Sequence, residues 1–561
     1  MEIEKRLIDL IKKQTSLKLD IKLEIPPSDS LGDYSLPCFN LSSTLKKNPV
    51  EISQDLSKKI KSPLIEKIES KGPYLNFFIK KDFLIKETLS KILREKENYG
   101  SKKENKIILV ESPGPNTNKP LHLGHLRNMA LGISISSIYK KTGNKVKNVD
   151  IINDRGIHIC KSMLAYQKYG KNKNPDKKSD HFVGDFYVLY NNKLKEDPSL
   201  EQQAQDLLLK WENKDKATLA LWNKMNTWAL KGMQQTYKKF GLNIDKAYYE
   251  SQSYEKGKEI ILNNLNKVFE KGQDNSIIIN LEKEGLGKKV VLRSDGTSIY
   301  ITQDIYIAKK RYEDFKMDKL IYVVASEQNY HFKVLFNILK KLNYSFANNL
   351  YHLSYGMVYL PSGKMKSREG TIIDADNLIK TLEELVKEEI LKRNKKISKK
   401  ELERRSAIIA LAAIKFYLLK IEPIKDIYFV PEESISLEGE TGPYIQYSYA
   451  RIQSILKKSK SPLKVKKVNT KLLTHPLEYK LVKELYSFPL IIEKASKEIK
   501  PNIIANYVFS LSKTFNEYYH SCNILKEKQD LKQARLSLIL AISHIIKISL
   551  NLLGIDTLKE M

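Results

Sequence analysis

The stretch Ile107–Asn128, IILVESPGPNTNKPLHLGHLRN, decides the fold of this chain. It opens with a short β-branched run, Ile107–Val110, passes through a loop rich in proline, glycine and asparagine, and enters a helical pattern from about His122 to Lys141. A strand that runs through a loop into a helix is the unit from which parallel sheets are built. Phosphate groups bind at the N-terminus of such a helix, beyond the carboxyl end of the strand. The stretch therefore predicts an α/β domain with a phosphate site.

Two histidines open that helix, and because they are three residues apart they share one helical face. Gly124 lies between them and removes a side chain where a flat ring could rest on the backbone, while Lys119 adds a positive charge. His122, His125 and Lys119 together suit the charge that develops on a phosphate during its transfer. The pair lacks the i, i+4 spacing and the glutamate of a zinc-protease helix. Ordinary helix capping is the commoner interpretation of an isolated His-x-x-His pair.

The same alternation of strand and helix continues outward from this stretch. Segments of one or the other pattern follow at Val146–Ile152, Leu320–Val324, Asn329–Lys341 and Tyr355–Leu360. A long insertion at about 170–290 carries a mainly helical pattern, and from about residue 376 the pattern is helical almost to the end. Alternating strands and helices predict a parallel sheet wrapped by helices.

We therefore predict a multidomain chain with a central α/β, Rossmann-like parallel sheet that carries a helical insertion. An N-terminal α+β module occupies residues 1–100, the central domain residues 101–430 with its insertion at about 170–290, and a C-terminal all-α bundle residues 431–561. The length of 561 residues agrees with several domains, since one core seldom organises so long a chain.

Composition excludes several classes of protein. With 41% hydrophobic and 29% charged residues the chain is neither collagen-like nor wholly disordered, and three cysteines, Cys38, Cys160 and Cys522, cannot build a disulfide framework. The N-terminus lacks a signal-peptide pattern. Polar residues interrupt the most apolar stretch, Arg535–Ile555, which predicts a buried helix. We expect a soluble, cytoplasmic protein.

The net charge of +31 suggests a polyanionic partner, but 85 lysines against 12 arginines can also reflect a genome-wide codon preference. Motifs must decide between these interpretations. His122-Leu123-Gly124-His125 resembles the H-I-G-H signature of class I aminoacyl-tRNA synthetases, and the longer string SPGPNTNKPLHLGHLRN resembles the arginine-specific branch of that family.

The family's second signature, K-M-S-K-S, has a counterpart in GKMKSREG at residues 363–370. Lys364 and Met365 match it, while Lys366, Ser367 and Arg368 stand where S, K and S would be. The resemblance implies that this loop binds ATP together with Gly124, and that Lys364 is catalytic. In the arginine branch a lysine ahead of the first histidine is thought to replace the second lysine of the loop, and Lys119 holds that position. Lys119, Lys366 and Arg368 all remain candidates for holding the pyrophosphate.

Recognition of the amino acid is expected to need carboxylates, because a cationic side chain pairs best with them. In SDGTSIYITQD, Tyr300 and Asp304 lie four apart on one helical face; spacing alone favours a core tyrosine beside a solvated aspartate. The string resembles the substrate helix of the arginine branch. By the same resemblance Asn116, Glu250 in YYESQSY and Gln328 in VVASEQNYH are expected to contact L-arginine.

Three further features are expected to serve tRNA. Tyr444, Tyr447 and Arg451 follow a helical spacing that suits stacking on unpaired bases, although a tyrosine-rich core helix fits the pattern as well. Their string resembles the opening of the arginine branch's helical anticodon domain. GPYLNFFI resembles part of the family's N-terminal module, in which Tyr74 and Asn76 match positions that read a base.

The resemblance implies an arginine–tRNA ligase that activates L-arginine with ATP and transfers it to the 2′-hydroxyl of the terminal adenosine of its tRNA. Mg²⁺ is expected to arrive with ATP. His158 and Cys160 have no second pair to complete a zinc site, so no metal is expected on the protein. We expect a monomer without membrane contact. A synthetase for another amino acid, a non-catalytic tRNA-binding relative and a nucleotidyltransferase that uses no RNA are the alternatives.

Overall fold

The computed structural model describes residues 2–15, 21–360, 374–459 and 469–561. Within these residues the helices, α1 to α19 in chain order, are Glu2–Thr15, Phe39–Leu45, Pro49–Lys59, Lys81–Glu95, Leu123–Lys141, Ile157–Tyr169, Ser179–Glu196, Ser199–Glu212, Lys216–Phe240, Tyr254–Asn263, Tyr300–Phe315, Asn329–Lys341, Ala375–Arg393, Lys399–Lys420, Pro431–Ser434, Gly442–Lys458, Pro476–Glu498, Asn502–Ser521 and Gln529–Leu552. The strands, β1 to β13, are Tyr34–Pro37, Ile65–Lys71, Tyr74–Ile79, Ile107–Glu111, Lys145–Ile152, Lys246–Tyr249, Glu270–Lys271, Ile277–Leu281, Gly287–Leu292, Lys319–Ala325, Leu350–Tyr355, Val358–Tyr359 and Ile427–Tyr428.

The central sheet has the strand order β11-β10-β4-β5-β6 in the described part of the chain. Each neighbouring pair is parallel, as the alternation of strands and helices predicts. From β4 the chain moves to β5 on one side, whereas β10 lies on the other side of β4. The strand order therefore reverses beside β4, and a reversal of this kind opens a crevice at the carboxyl ends of the strands.

The stretch Ile107–Asn128 forms the elements predicted for it. β4 is Ile107–Glu111, and α5 begins at Leu123 with His122 as its N-cap residue. α5 is buried along most of its length, and Leu109, Val149 and Leu320 belong to the apolar core of the sheet. Packing of this helix against the sheet fixes the direction in which its N-terminal residues point.

Two predictions about secondary structure are right only in part. The run Tyr355–Leu360 contains the short strand β12, but the strand that pairs with β10 in the central sheet is β11, Leu350–Tyr355. β11 ends where Gly356 packs against the backbone of Lys425. The insertion at about 170–290 is rich in helices, α7 to α10, as predicted, but it also contains β6 of the central sheet and the antiparallel strands β7, β8 and β9.

The chain folds into two compact units. The first consists of Met1–Tyr99, Ile452–Pro489 and Leu511–Ile545, and it contains the antiparallel sheet β1-β3-β2. In this unit the hydroxyl groups of Tyr34 and Tyr486 are 2.7 Å apart. The second unit consists of Gly100–Arg451, Leu490–Ser510 and Ile546–Met561, and it contains the central parallel sheet.

The predicted buried helix near the C-terminus is present as α19. Among the described residues it is the one helix long and apolar enough to cross a membrane, and 78% of its most apolar window is buried inside the protein. A mostly buried core helix passes the same test of length and composition. The prediction of a buried helix is therefore confirmed.

Candidate active site

A buried carboxyl group holds the loop between β4 and α5 in place. The backbone N–H of Gly114 donates to Asp150 Oδ1 over 2.9 Å, and the hydroxyl of Tyr237 donates to Asp150 Oδ2 over 3.0 Å. Asp150 is fully buried, and burial raises its pKa to about 7. The amide of Asn153 donates to the carbonyl of Gly114 over 3.2 Å. The backbone path of the loop is therefore set by the neighbouring strand β5.

His122 and His125 lie side by side at the start of α5, with ring centroids 3.9 Å apart. The backbone N–H of Gly124 donates to Nδ1 of His122 over 3.1 Å, and the backbone N–H of His122 donates to Nδ1 of His125 over 3.1 Å. A nitrogen that accepts an N–H carries no proton, so each neutral ring is protonated at Nε2. Both Nε2–H groups are therefore left as donors for a ligand.

The two rings are neutral at physiological pH. Burial lowers the pKa of His122 to about 4, and the charge of Lys119 adds to the effect. Burial also lowers the pKa of His125 well below its ordinary value, as do the charges of His122 and Lys119. The site therefore offers two neutral donors and one ammonium group, a set that can stabilise added negative charge without a proton transfer.

A glycine at position 124 is needed for a steric reason in addition to the one expected from the sequence. A Cβ atom there would lie 3.0 Å from Cε1 of His122, which is tighter than ordinary contact. A larger residue would therefore displace the His122 ring. Burial also lowers the pKa of Lys119, the cation nearest these rings in the expected site.

Arg127 is a residue that the sequence analysis did not single out. Its side chain is fully buried on α5 and donates to four carbonyl groups: Gly356 at 2.5 Å, Met357 at 3.3 Å, Pro423 at 2.9 Å and Lys425 at 2.7 Å. These bonds join the histidine helix to the chain on either side of α13 and α14. No local pattern could have revealed them, because the partners lie more than two hundred residues further on.

The predicted ATP loop, Lys364–Arg368 with Met365, Lys366 and Ser367, lies outside the described residues. Where the described chain resumes, the backbone N–H of Ala375 donates to the carbonyl of Leu121 over 3.0 Å, and Asp374 forms a β-bridge with His122. Asp374 and Ala375 are thus tied directly to the start of α5 and its first histidine.

Glu250 occupies a buried position just after β6, with 3% of its surface exposed. Its Oε1 accepts a hydrogen bond from the amide nitrogen of Gln303 over 2.6 Å. Burial raises the pKa of Glu250 to about 8, and the negative charges of Asp304 and Asp154 contribute. A buried carboxyl group of this kind gains most from a cation that binds beside it.

The segment that carries Glu250 is fixed by the loop after β5. Asp154 accepts hydrogen bonds from the backbone N–H and the hydroxyl of Ser251, at 2.9 and 2.7 Å. Arg155 pairs with Glu212 at 2.8 Å. The structure therefore gives both Asp154 and Arg155 structural contacts.

Asp304 is placed near Glu250 by the first turns of α11, and it has a partner in this structure. Nε2 of His331 lies 2.7 Å from Asp304 Oδ2. His331 belongs to the quoted string VVASEQNYH, yet nothing in its spacing to Asp304 pointed to this contact. A second unexpected pair is the buried ion pair between Glu111, at the end of β4, and Arg311 of α11.

Three of the expected arginine contacts lie at the surface. Tyr300, the first residue of α11, is 67% exposed. Asn116 follows β4 and is exposed, and Gln328 follows β10 and is exposed. All three therefore stand near the carboxyl ends of strands or at a helix start, where a ligand can reach them. The structure brings Glu250 and Asp304 together with Gln303.

Comparison with known proteins finds three family models that match successive parts of the chain. The family "tRNA synthetases class I (R), catalytic domain" matches residues 88–430, "DALR anticodon binding domain" matches 445–561, and "Arginyl tRNA synthetase N terminal domain" matches 1–79. The chain belongs to the arginyl-tRNA synthetase family.

Individual members of the family are similar over their full length. An arginine–tRNA ligase of Treponema denticola is 45% identical over 96% of this chain and 95% of its own. One of Borrelia hermsii is 45% identical over 100% of both chains. A solved arginyl-tRNA synthetase of Thermus thermophilus has a TM-score of 0.83 and 26% identity, and covers 100% of both chains. The predicted fold class is confirmed.

The residues expected to meet tRNA differ in accessibility. Tyr74 is 39% exposed and its ring lies edge-on to Phe39, with centroids 5.8 Å apart. Asn76 is buried, and its side-chain oxygen accepts from the hydroxyl of Ser35 over 2.7 Å. A base-reading role for Asn76 would therefore fall to its amide nitrogen or require a local rearrangement; the role stays a prediction.

Helix α16 carries Tyr444, Tyr447 and Arg451, the three residues whose helical spacing was noted in the sequence. The guanidinium of Arg451 lies 4.8 Å from the ring centroid of Tyr447. Tyr444 lies against the ring of Phe509, with centroids 5.7 Å apart. Tyr447 also lines a cavity of about 580 Å³ together with Arg405 and other residues of the second unit.

One cluster of side chains of the kinds that bind metal ions includes Asp376, which closely follows the residues that contact the start of α5. Asp180, His181 and Asp376 approach one another closely enough for metal ligation in the described part of the chain. Lys178, however, places its ammonium 2.8 Å from both Asp180 and Asp376. His181 adds a contact to Asp376 at 3.0 Å, so the two carboxylates already have cationic or hydrogen-bonding partners within the protein.

Proposed function

We propose that this chain is an arginine–tRNA ligase, which activates L-arginine with ATP and transfers it to its tRNA. The observation that carries the proposal is the match of the arginine-specific class I catalytic domain to residues 88–430, which include both active-site histidines. The neighbouring matches to an anticodon-binding domain and to an N-terminal domain of the same family explain the rest of the chain.

In the first step the carboxylate of arginine attacks the α-phosphate of ATP and expels pyrophosphate. His122 and His125 donate their Nε2–H groups to the phosphate oxygens, and Lys119 adds its charge. Neutral donors that are already in position stabilise the developing charge without reorganisation. Gly124, Met365, Lys366, Ser367 and Arg368 bind ATP and Lys364 is catalytic, while Lys119, Lys366 or Arg368 holds the pyrophosphate.

Glu250 and Asp304 select the guanidinium group. A planar fork of N–H donors matches carboxylate oxygens in a way that the ammonium of lysine does not. Tyr300 provides a ring beside this pair, while Asn116 and Gln328 hold the α-amino and carboxylate end. The raised pKa of Glu250 fits a carboxyl group that awaits a cation.

In the second step the 2′-hydroxyl of the terminal adenosine attacks the carbonyl carbon of the arginyl-adenylate, forms the ester bond and expels AMP. Tyr444, Tyr447 and Arg451 bind the anticodon region, and Tyr74 and Asn76 contact a base elsewhere on the tRNA. The domains that perform these tasks are residues 1–100, 101–430 and 431–561. Mg²⁺ enters with ATP and the protein itself holds no zinc; the enzyme acts as a monomer in the cytoplasm, away from membranes.

The proposal is tested by charging bacterial tRNA with labelled arginine and by the substitution His122→Asn. We expect the unaltered protein to charge tRNA and the variant to lose about a hundredfold in kcat, since one preorganised donor is removed. The tRNA affinity should not change. His520→Asn is the matched control, because His520 lies exposed on α18 and outside the catalytic domain. Binding of tRNA without any charging by the unaltered protein would support a non-catalytic relative instead.

A further inference from the structure

Gln303 lies beside the residues proposed to select arginine, although no pattern in the sequence assigns it a role. It follows Tyr300 by three residues on α11 and immediately precedes Asp304, so it borders the face that these two residues share. Its side chain is buried, with 5% of its surface exposed. The amide nitrogen donates to Oε1 of Glu250 over 2.6 Å.

The oxygen of the same amide differs from the nitrogen in its hydrogen bonding. Oε1 of Gln303 is buried and has no hydrogen-bond partner among residues 2–15, 21–360, 374–459 and 469–561. A buried acceptor without a donor costs free energy, so such atoms usually have a partner when the protein works. The unmet acceptor lies on the residue that holds Glu250, which points to a donor that arrives with the ligand.

We propose that Gln303 is a further arginine-binding residue, whose amide nitrogen orients Glu250 while its amide oxygen accepts an N–H of the guanidinium group. The inference rests on the proposed function. A guanidinium group has five N–H donors, more than one carboxylate can accept, and a neutral acceptor beside Glu250 takes one of the remainder. A neutral amide also avoids adding a further negative charge next to Glu250, Asp304 and Asp154.

The hydrogen bond from Gln303 also affects the ionisation of Glu250. The charged groups that face Glu250 are Asp304, Asp154 and Arg155, with Tyr300 nearby. The two aspartates oppose its ionisation, whereas a donated N–H favours the ionised form that binds a cation. Loss of this donor raises the pKa of Glu250 further, so the ionised form appears only at higher pH.

The decisive variant is Gln303→Met, which keeps the shape of the side chain and removes both polar atoms. With tRNA saturating, we expect the KM for arginine to rise about tenfold or more, as for a lost hydrogen bond to a charged group. The KM for ATP should stay within about twofold. The acid limb of kcat/KM for arginine should move to higher pH. Gln202→Met is the matched control, since Gln202 is exposed on α8.

Two further measurements separate this inference from a merely structural role. Gln303→Asn, which withdraws the amide by one methylene, should also raise the KM for arginine, so the test survives if the methionine variant does not fold. In a Glu250→Gln background, Gln303→Met should add much less than it does alone, because the two residues act together.

The outcomes are distinguishable. If the unaltered protein does not charge arginine, the proposed function fails. If it does, but Gln303→Met and Gln303→Asn keep the arginine KM and the pH profile of the unaltered protein, the inference about Gln303 is overturned while the function stands. Equal losses for arginine and ATP would likewise overturn it, because they indicate a general distortion of the domain.

Discussion

At the scale of single residues, the active site depends on groups whose charge is set by burial. His122 has a pKa of about 4 and is neutral, so its Nε2–H is available as a donor to a ligand without any change of protonation. Glu250 and Asp150 have pKa values raised to about 8 and about 7 by burial. Glu250 faces the proposed substrate, and Asp150 supports the loop between β4 and α5.

Asp150 leads to a prediction about stability and pH. In the unfolded chain an aspartate has a pKa of about 3.9, whereas in the fold the pKa is about 7. The fold therefore favours the protonated carboxyl group, and Asp150 destabilises the protein progressively as the pH rises from about 4 to about 7, by at most about 4 kcal/mol.

Asp150→Asn mimics the protonated form, since its amide can accept from Gly114 and donate to Tyr237. We expect the Tm of the variant, relative to the unaltered protein, to rise between pH 5 and pH 8. Thermal melts at several pH values measure this difference. A difference in Tm that is constant with pH would contradict the raised pKa.

Individual site residues could be predicted from the sequence only where they lie in a continuous string. His122, His125, Tyr300 and Asp304 were singled out in this way, and their roles stay predictions. Gln303 sits in the same string as Tyr300, but its importance comes from Glu250, 53 residues earlier. His331, Arg311 and Arg127 likewise act on partners that only the folded chain brings near. A single sequence does not show which distant residues come into contact in the folded chain.

At the scale of elements, the unit β4–loop–α5 was predictable because each part has a strong local signal. The β-branched run forms the strand, and the proline-rich loop precedes a helix capped by His122. β11 and β6 were missed for the opposite reason: they are short strands whose residues alternate or mix in polarity. A parallel sheet forms them because its neighbours supply hydrogen bonds.

The packing of α10 on α11 gives a prediction at this scale. A Cβ atom at Gly257 would collide with the carbonyl oxygen of Thr302 and would lie 3.2 Å from the backbone nitrogen of Gln303. Gly257→Ala must therefore push α10 away from the turn that carries Gln303 and Asp304. Overpacking of this kind costs about 1–3 kcal/mol.

We expect Gly257→Ala to lower the Tm and to raise the KM for arginine several-fold, with a smaller effect on the KM for ATP. Glu259→Ala, an exposed position on the same helix, is the control. Kinetics of tRNA charging measure both constants. An alanine variant with the arginine KM of the unaltered protein would show that the α10–α11 contact does not position the substrate helix.

At the scale of the whole molecule, the order of motifs along the chain was more informative than composition. A charge of +31 left open whether the chain binds a polyanion at all, whereas signatures near residues 122, 300 and 444 agree with one family. Length and pattern predict three consecutive regions, and that division stays a prediction. Which segments form compact units could not be predicted, because residues 452–489 and 511–545 group with the N-terminal residues through packing between distant parts of the chain.

The central claim is that the chain attaches arginine, and no other amino acid, to tRNA. The most direct measurement offers all twenty amino acids together with ATP, Mg²⁺ and total bacterial tRNA, then releases the terminal adenosine with ribonuclease and weighs it by mass spectrometry. We predict arginyl-adenosine as the single aminoacylated product. Lysyl-adenosine or any other aminoacyl-adenosine would contradict the assignment of the substrate, and unmodified adenosine alone would contradict the enzymatic function.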